Sequence, residues 1–171
     1  MRKIILNLAV SLDGFIEGPN GEFDWCLADQ DYGMTKFLEQ TDSILFGRKS
    51  YELLMQYESN PYPEKKKYVF SRSFQTRQPN TYVINKDIEK EVQQLKHMPG
   101  KNIWMYGGAS LTSVFIQAGL IDEFMLSVHP ILLGKGKPLF TDLKDRIHLK
   151  LTDTQTFSSG LVQLYYQIDK K

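Results

Sequence analysis

Short apolar segments alternate with amphipathic helical patterns through the first 120 residues, and this alternation constrains the fold most. The apolar segments are too short for core helices and are predicted to be buried strands, at residues 4–11, 43–46, 68–70, 82–84 and 103–106. Apolar residues at helical spacing predict helices at residues 29–40, 49–56, 88–95 and 111–118. Repeated strand–helix units predict an α/β protein, with a mostly parallel sheet in a three-layer α/β/α sandwich.

A long loop, residues 12–28, follows the first strand and contains the turn-forming pairs Asp13-Gly14, Gly18-Pro19 and Asn20-Gly21. Long ordered loops are uncommon and often functional. Asp29 is predicted to cap the helix after this loop, with Met34, Phe37 and Leu38 on its apolar side. The last of the four predicted helices places Leu111, Val114, Phe115 and Ala118 on one face.

The C-terminal third changes to a period of two. Phe124, Leu126 and Val128 alternate with more polar residues, and the same alternation returns from Val162 to Ile168. Residues 158–160 are typical of a hairpin turn. We therefore predict antiparallel strands, each with one buried face, at this end of the sheet. No linker or repeat interrupts the chain, so residues 1–171 are predicted to form a single domain.

Charge and composition exclude several classes of protein. Lys and Arg number 21 against 20 Asp and Glu, which disfavours phosphate-driven nucleic-acid binding. Lys65-Lys66-Lys67 is interpreted as a solvated loop leading into a strand. The single cysteine, Cys26, is interpreted as a small apolar residue, and the three histidines are too scattered to predict a metal site. With no signal segment and no long apolar span, we expect a cytoplasmic protein without a membrane partner.

Glycines, hydroxyl residues and basic residues follow several predicted strands. The ends of parallel strands in an open α/β sheet are where ligands collect. Glycine and helix N-termini suit phosphate groups, and arginine adds charge-assisted bonds. The glycines could equally serve only to close turns. The segments are Ser11-Leu12-Asp13-Gly14, Gly47-Arg48-Lys49-Ser50, Ser71-Arg72-Ser73 and Gly107-Gly108-Ala109-Ser110.

Two other sequence patterns do not predict phosphate binding. No G-x-G-x-x-G or P-loop pattern follows any strand. Gly134-Lys135-Gly136-Lys137 looks like a phosphate loop, but Pro138 follows it instead of a helix. We interpret that segment as a structural turn.

In this order and spacing, these segments resemble the dihydrofolate-reductase-like superfamily. The similarity is to the branch of the reductase domain of the bacterial bifunctional riboflavin-pathway deaminase–reductase, and it extends to Leu132–Gly136 and Leu139-Phe140. The resemblance implies NADPH as the hydride donor. Gly47, Arg48, Lys49 and Ser50 would begin a helix facing the cofactor phosphates. Ser71, Arg72 and the adjoining Ser73 would contact the 2′-phosphate, Gly107, Gly108, Ala109 and Ser110 the pyrophosphate, and the backbone of Ala9 and Val10 the nicotinamide.

The resemblance leaves the proton donor open between two carboxyl groups. Reduction of a ring C=N needs a proton for the nitrogen. Asp31 precedes Gly47 by 16 positions, as the acid does in dihydrofolate reductases, and Asp13 borders the substrate pocket in this branch. Both are candidate catalytic and substrate-binding residues. Trp25 is a candidate to stack on the substrate or an ordinary core residue, and His129 is interpreted as a structural histidine.

Departures from the riboflavin-pathway pattern leave the substrate undetermined. Phe15 stands where that family usually has lysine, Tyr106 where it has an acidic residue, and no Asp-Pro element follows the second strand. The hypothesis is an NADPH-dependent reductase of a small heterocycle, similar to 5-amino-6-(5-phosphoribosylamino)uracil reductase or dihydrofolate reductase. The alternative is a non-catalytic sensor of a nucleotide or ligand. Related domains pair, so a homodimer is expected, with Phe124, Tyr165 and Tyr166 as candidate anchors.

Overall fold

The computed structural model describes residues 1–169, which form ten strands and four helices. The strands are β1 (Ile4–Ser11), β2 (Phe15–Glu17), β3 (Thr41–Gly47), β4 (Lys66–Phe70), β5 (Thr81–Ile84), β6 (Asn102–Gly107), β7 (Glu123–His129), β8 (Lys137–Pro138), β9 (Leu149–Thr156) and β10 (Val162–Ile168). The helices are α1 (Met34–Glu39), α2 (Arg48–Tyr57), α3 (Ile88–His97) and α4 (Ala109–Gln117). None of these helices is long and apolar enough to cross a membrane.

Eight strands form one mixed sheet in the order β5-β4-β3-β6-β1-β7-β10-β9. The first six pair in parallel, and β10 runs antiparallel to both β7 and β9. The predicted mostly parallel sheet with antiparallel C-terminal strands is therefore confirmed. Strands β2 and β8 form a separate two-stranded sheet and were not predicted.

The helices cover both faces of the sheet, which confirms the predicted three layers. Phe37 of α1 and Tyr51 of α2 pack with Ile44 and Phe46 of β3 in one apolar cluster. Val92 and Leu95 of α3, together with Phe115 and Ile116 of α4, pack with Leu45 and its neighbours in a second cluster. Successive residues of β3 thus enter opposite layers, as side chains on a strand must. Parallel strands with helices on both faces are buried on both sides.

Helix α1 begins later than predicted, because the backbone before it turns through left-handed conformations. Tyr32 has φ +49° and Gly33 has φ +76°, and the helix starts at Met34. Asp29 is therefore not its N-cap, and its carboxylate instead accepts the Tyr32 hydroxyl proton. The N-cap residue is Gly33, and the Asp31 carboxylate, two positions before it, accepts the backbone N–H of Thr35 at 3.0 Å and its hydroxyl at 2.7 Å.

The interpretation of Lys65-Lys66-Lys67 as a solvated loop is wrong for two of the three lysines. Lys65 is 4% exposed and Lys67 1% exposed, while Lys66 points to solvent. Lys65 Nζ donates to the carbonyls of Leu38 and Thr41, at 2.7 and 2.8 Å. Lys67 Nζ donates to the carbonyl of Tyr62 at 3.0 Å, and burial lowers the pKa of this amine. These lysines tie the turn before β4 to the end of α1.

The prediction of one buried face for each C-terminal strand fails for β7, because Phe124 and Leu126 pack into one apolar cluster and Met125 into the cluster on the other face. Phe124, Met125 and Leu126 are all buried, and Phe124, at 2% exposure, cannot be a surface anchor. The hairpin at residues 158–160 is present between β9 and β10. In α4, Val114 is 46% exposed instead of buried, because the helix turns Thr112, Ser113 and Ile116 toward the core.

A buried ion pair joins α3 to β1 and β7. Lys96 Nζ lies 2.7 Å from Asp122 Oδ2, and the same carboxylate atom accepts the backbone N–H of Ile4 at 2.8 Å. The lysine side chain is 4% exposed and the aspartate 22%. Nearby, Lys3 and Glu123 form an exposed pair in which the lysine side chain is 54% exposed.

Replacing Lys96 by methionine should therefore destabilise the fold by on the order of 3 kcal/mol, because the desolvated Asp122 carboxylate loses its counter-charge. Lys3→Met should cost less than about 1 kcal/mol, since exposed pairs contribute little. Urea unfolding of both variants measures the difference. Equal destabilisation by the two substitutions would contradict the assignment of Lys96 as a structural anchor.

Candidate functional site

A cavity of about 470 Å³ opens at the carboxyl ends of β3, β4, β5 and β6. Three of the segments predicted from the sequence meet there, although they are far apart in the chain. The predicted residues that line the cavity are Gly47, Arg48, Lys49, Ser50, Ser71, Arg72, Gly108, Ala109 and Ser110.

Two helices begin at the cavity where glycines let their first turns approach each other. Gly47 precedes α2 and Gly108 precedes α4. Gly108 has φ +107°, and a Cβ there would lie 3.3 Å from Ser50 Oγ and 3.6 Å from Gly47 Cα. Neither helix has a side chain hydrogen-bonded to its first turn. The free N–H groups and the positive dipole ends are therefore available to an anion.

A third helix start, missed from the sequence, completes the cavity. Asp87 precedes α3 in a left-handed conformation with no side-chain cap, and Asn85, Lys86, Asp87 and Ile88 line the wall. The rule that ligands collect at strand ends applies here too, since Asn85 directly follows the last residue of β5. Glycine and hydroxyl residues are absent from this segment, so it did not stand out in the sequence as the other strand ends did.

The lining of the cavity is strongly cationic. It contains one carboxylate, Asp87, and five basic residues, which are Arg48, Lys49, Arg72, Lys86 and Lys137. Arg48 is partly neutralised by Glu52, whose carboxylate lies 3.1 Å away, and Lys137 by Glu17 at 3.2 Å. Arg72 is exposed and forms no ion pair with the described part of the chain. The site thus combines cations with helix N-termini, which suits a polyanionic ligand.

Four predicted cofactor residues lie outside the lining. Gly107 ends β6 with φ +134°, and Ser73 follows Arg72 on the surface. Ala9 and Val10 lie near the carboxyl end of β1, paired with Ser127 and Val128 of β7. The structure brings the predicted phosphate-binding residues together at the ends of β3, β4 and β6. The predicted nicotinamide-binding residues, Ala9 and Val10, lie outside the cavity on β1, the next strand of the sheet.

Asp13 is held in a loop-to-loop connection. Its carboxylate accepts the Ser11 hydroxyl at 2.7 Å and the backbone N–H groups of Gly134 and Leu133 at 2.7 and 3.1 Å. The Ser11 hydrogen bond and these N–H groups lower the pKa of Asp13 against a smaller opposing effect of desolvation. Asp13 is therefore ionised at neutral pH and joins the first loop to the segment before β8. A Cβ at Gly136 would lie 2.1 Å from the Glu17 carbonyl, consistent with that segment being a structural turn.

Asp31 is also held as a carboxylate. The Thr35 hydroxyl, followed by the Thr35 backbone N–H, lowers the pKa of Asp31. It is exposed at the start of α1, and neither Asp31 nor Asp13 lines the cationic cavity. Both candidate acids are therefore hydrogen-bond acceptors in the free protein, and neither carries a proton that it could donate.

A second group of polar side chains lies at the carboxyl ends of β1 and β7 and the amino end of the antiparallel β10, on the α1 side of the sheet. Trp25 packs edge-to-face on His129 with ring centroids 5.3 Å apart, and its indole N–H donates to the Glu22 carbonyl at 3.3 Å. His129 is 3% exposed. Burial lowers its pKa, although the carbonyls of Ser127 and Val10 act in the opposite direction.

Gln163, which no sequence pattern singled out, connects this group to the loop that carries Asp31. It is 1% exposed, and its Nε2 donates to the Tyr32 carbonyl at 2.8 Å and to Ser127 Oγ at 3.2 Å. The Tyr165 hydroxyl donates to its Oε1 at 3.0 Å. The Tyr32 hydroxyl oxygen, whose proton goes to Asp29, also lies 2.8 Å from Ser159 Oγ of the β9–β10 hairpin, which can donate to it. The C-terminal hairpin thus fixes the position of the loop before α1.

Cys26 and Tyr106 both stay protonated at neutral pH. Burial, with a smaller effect of Asp24, raises the pKa of the Cys26 thiol to about 11. Burial raises the pKa of Tyr106 to about 12. Within residues 1–169, no group of three or more histidine, cysteine, aspartate and glutamate side chains is placed to hold a metal ion.

Comparison with known proteins identifies the family. The RibD C-terminal domain matches residues 2–163, and the chain belongs to that family. It is 55% identical to the uncharacterized protein YyaP of Bacillus subtilis, over 96% of this chain and 94% of YyaP.

Solved structures agree with the fold. A putative riboflavin biosynthesis protein from Shewanella sp. PV-4 superposes with a TM-score of 0.87 at 24% identity, covering 99% of this chain and all of the other. Dihydrofolate reductase from Enterococcus faecalis, solved in complex with NADP(H), superposes with a TM-score of 0.71 at 16% identity, covering 98% and 97%. The fold is dihydrofolate-reductase-like.

Asp13→Asn tests the loop connection. The substitution should lower the Tm at neutral pH, because the amide is a weaker acceptor for the N–H groups of Leu133 and Gly134. A carboxylate whose pKa is lowered by folding stabilises the protein above the pKa of the unfolded chain, about 3.9. That contribution disappears as pH falls through the lower pKa of the folded state. Thermal unfolding from pH 3 to 8 should therefore show the two proteins converge only in acid. A constant difference across this range would contradict an ionised Asp13.

Proposed function

We propose that this protein is an NADPH-dependent reductase of a small heterocycle of the pteridine or aminopyrimidine type. The observation that carries the proposal is the cationic cavity, where three helix N-termini and five basic side chains meet at one edge of the sheet. The family and the dihydrofolate-reductase-like fold support the same assignment.

The residues of the cavity fit the phosphates of a dinucleotide. Gly108, Ala109 and Ser110 at the start of α4 offer backbone N–H groups to a pyrophosphate, as Arg48, Lys49 and Ser50 do at the start of α2. Ser71 and Arg72 at the end of β4 suit the 2′-phosphate that distinguishes NADPH from NADH. When bound, NADPH supplies a hydride. Its nicotinamide would lie toward Ala9 and Val10, at the end of β1 next to the second polar group.

Reduction of a ring C=N adds that hydride to carbon and a proton to nitrogen. Since Asp31 is ionised in the free protein, it would orient a water or the substrate ring and pass a proton from solvent. The β9–β10 hairpin holds the Asp31 loop through Gln163, which keeps the carboxylate in position. Asp13 is the second candidate for proton transfer. Its carboxylate joins the first loop to the backbone of residues 133–134.

A non-catalytic sensor is the second candidate function. The observation that favours it is the state of the two carboxylates, since catalytic acids usually have raised pKa values and both of these are lowered. A sensor would bind NADPH without consuming it. Loss of NADPH absorbance with dihydropterins or aminouracils therefore separates the two functions.

Location and assembly belong to the same proposal. We place the protein in the cytoplasm, because its single cysteine has no disulfide partner. The proposed partner is a small molecule, with neither nucleic acid nor membrane.

A second copy of the chain would cover β9, an edge strand whose eight residues are all exposed, including Leu149 and Leu151. Exposed sheet edges are usually protected by pairing or covering.

Arg72→Ala should weaken NADPH binding by roughly ten- to hundredfold and leave NADH almost unchanged. A charge-assisted hydrogen bond contributes about 1.5–3 kcal/mol, and about 1.4 kcal/mol is tenfold in affinity. Arg48→Ala should have a smaller effect, because Glu52 already neutralises part of its charge. Titration calorimetry with both cofactors measures this, at low and high salt, since salt screens exposed charges.

The matched control is Arg77→Ala. Arg77 is exposed in the same loop after β4 but does not line the cavity, so its removal should leave both affinities unchanged. Equal binding of NADH and NADPH by the wild type would refute the proposed cofactor.

Asp31→Asn should lower turnover by about 10²–10⁴-fold with little change in NADPH affinity, if Asp31 passes the proton. Stopped-flow measurement of hydride transfer and calorimetry of NADPH binding give the two quantities. Asp24→Asn is the control, because Asp24 is an exposed carboxylate of the preceding loop. Loss of turnover on Asp13→Asn instead would move the assignment to the first loop.

Light scattering at micromolar concentration should give about twice the chain mass of 19.8 kDa. Leu151→Lys should shift the protein toward monomer, because it places a charge on the exposed edge strand. Met98→Lys, which changes an exposed apolar residue just after α3, should not. A monomeric wild type at high concentration would refute the proposed dimer.

A further inference from the structure

His129 carries a buried nitrogen without a hydrogen-bond partner at the substrate side of the sheet. Its Nδ1 lies 2.9 Å from the Ser127 carbonyl oxygen, whereas its Nε2 has no partner among residues 1–169. The side chain is 3% exposed, so bulk water does not satisfy that atom. Leaving a buried polar group unpaired is costly, and such groups in folded proteins call for an explanation.

The contact of Nδ1 determines what Nε2 can do. A carbonyl oxygen only accepts hydrogen bonds, so Nδ1 must carry the proton. In the neutral ring, Nε2 is then an acceptor with a free lone pair. Burial lowers the pKa of His129 and so favours the neutral ring, against smaller opposing effects of the Ser127 and Val10 carbonyls. The unmet requirement at this position is therefore for a donor, an N–H or O–H group.

Two neighbouring donors that could meet this requirement are already used. Ser11 pairs with His129 across β1 and β7, but its hydroxyl proton goes to Asp13 at 2.7 Å. Trp25 packs on the imidazole ring, but its indole N–H goes to Glu22. These two neighbours therefore leave the lone pair of Nε2 free.

The position of His129 points to the substrate as the missing donor. It ends β7, beside the end of β1, where Ala9 and Val10 lie. Trp25 packs on the imidazole from a long loop, held by an indole hydrogen bond of 3.3 Å, so a flat ligand that reaches Nε2 must displace the indole from the ring. A planar ring entering there would meet the imidazole edge and the indole face together.

We propose that His129 Nε2 accepts a hydrogen bond from a ring or exocyclic N–H of the substrate, and so selects heterocycles that present such a donor. This inference rests on the proposed function, and it narrows the substrate to rings with an N–H group at the contacting edge. His129 is then a specificity-determining residue, and Trp25 is the cover that the substrate displaces.

Two substitutions separate this role from a structural one. His129→Asn keeps a side-chain N–H to reach the Ser127 carbonyl and removes the acceptor at the Nε2 position. His129→Gln keeps an acceptor at the Nε2 position and gives up the hydrogen bond to Ser127. A substrate contact therefore predicts that Gln rescues binding and Asn does not. If His129 is only structural, His129→Asn should instead retain more of the wild-type Tm and binding than His129→Gln does.

The probe is 5,6-diaminouracil, titrated into protein saturated with NADP⁺ so that no turnover occurs. The protein has three histidines, and His97 and His148 are exposed, which makes ¹⁵N-histidine NMR readily assignable. We expect the His129 Nε2 resonance to move on adding the probe while those of His97 and His148 stay. The Kd should rise roughly three- to tenfold in His129→Asn and remain near the wild-type value in His129→Gln.

Four results would overturn the proposal. They are no binding of the probe at millimolar concentration, binding without movement of Nε2, wild-type affinity in His129→Asn, and equal loss in both variants. If His129→Asn fails to fold, the resonance shift and His129→Gln still decide. Failure of the proposed reductase is seen separately, as absent NADPH binding or absent NADPH consumption, neither of which changes the response of Nε2.

Discussion

The close approach of β3 and β6 at their carboxyl ends determines the rest of the site. A Cβ on Gly108 would lie 3.6 Å from Gly47 Cα. Gly107 and Gly108 both have positive φ. Because no side chain fills this space, α2 and α4 can begin side by side on opposite faces of the sheet. Any larger residue at 108 would need a strained backbone and would separate the two helix starts. The meeting of two helix N-termini at the cavity depends on this contact.

Charge is distributed unequally between the two sides of the site. Five basic residues surround the cavity, whereas the segment from residue 4 to residue 35 contains six acidic residues and neither lysine nor arginine. That segment includes the loop over the ends of β1 and β7. Within it, Asp13 accepts a hydrogen bond from Ser11 and Asp31 accepts one from Thr35. The field across the site therefore favours one orientation of a ligand whose charge is at one end.

Patterns local in sequence predicted the fold and most of the residues that line the cationic cavity. Strand length, helical spacing and the residues after strand ends are all local, and parallel strands bring their carboxyl ends to one edge. The predictions that failed depend on partners distant in the chain. Lys65 is buried because the carbonyls of Leu38 and Thr41 are there to accept its protons. Two further contacts also join distant positions, and no spacing rule indicates them. Asp13 accepts a backbone N–H 120 positions away, and Gln163 donates to the Tyr32 carbonyl.

The tie between Gln163 and Tyr32 also sets an order of assembly during synthesis. The chain from β3 through α4 contains every helix start that lines the cavity, and β1 reaches this half by pairing with β6. The loop before α1 is made early, yet its anchor belongs to β10, which leaves the ribosome after the other nine strands. Domains generally fold as units. The loop that carries Asp31 therefore reaches its final position only after β10 has been made.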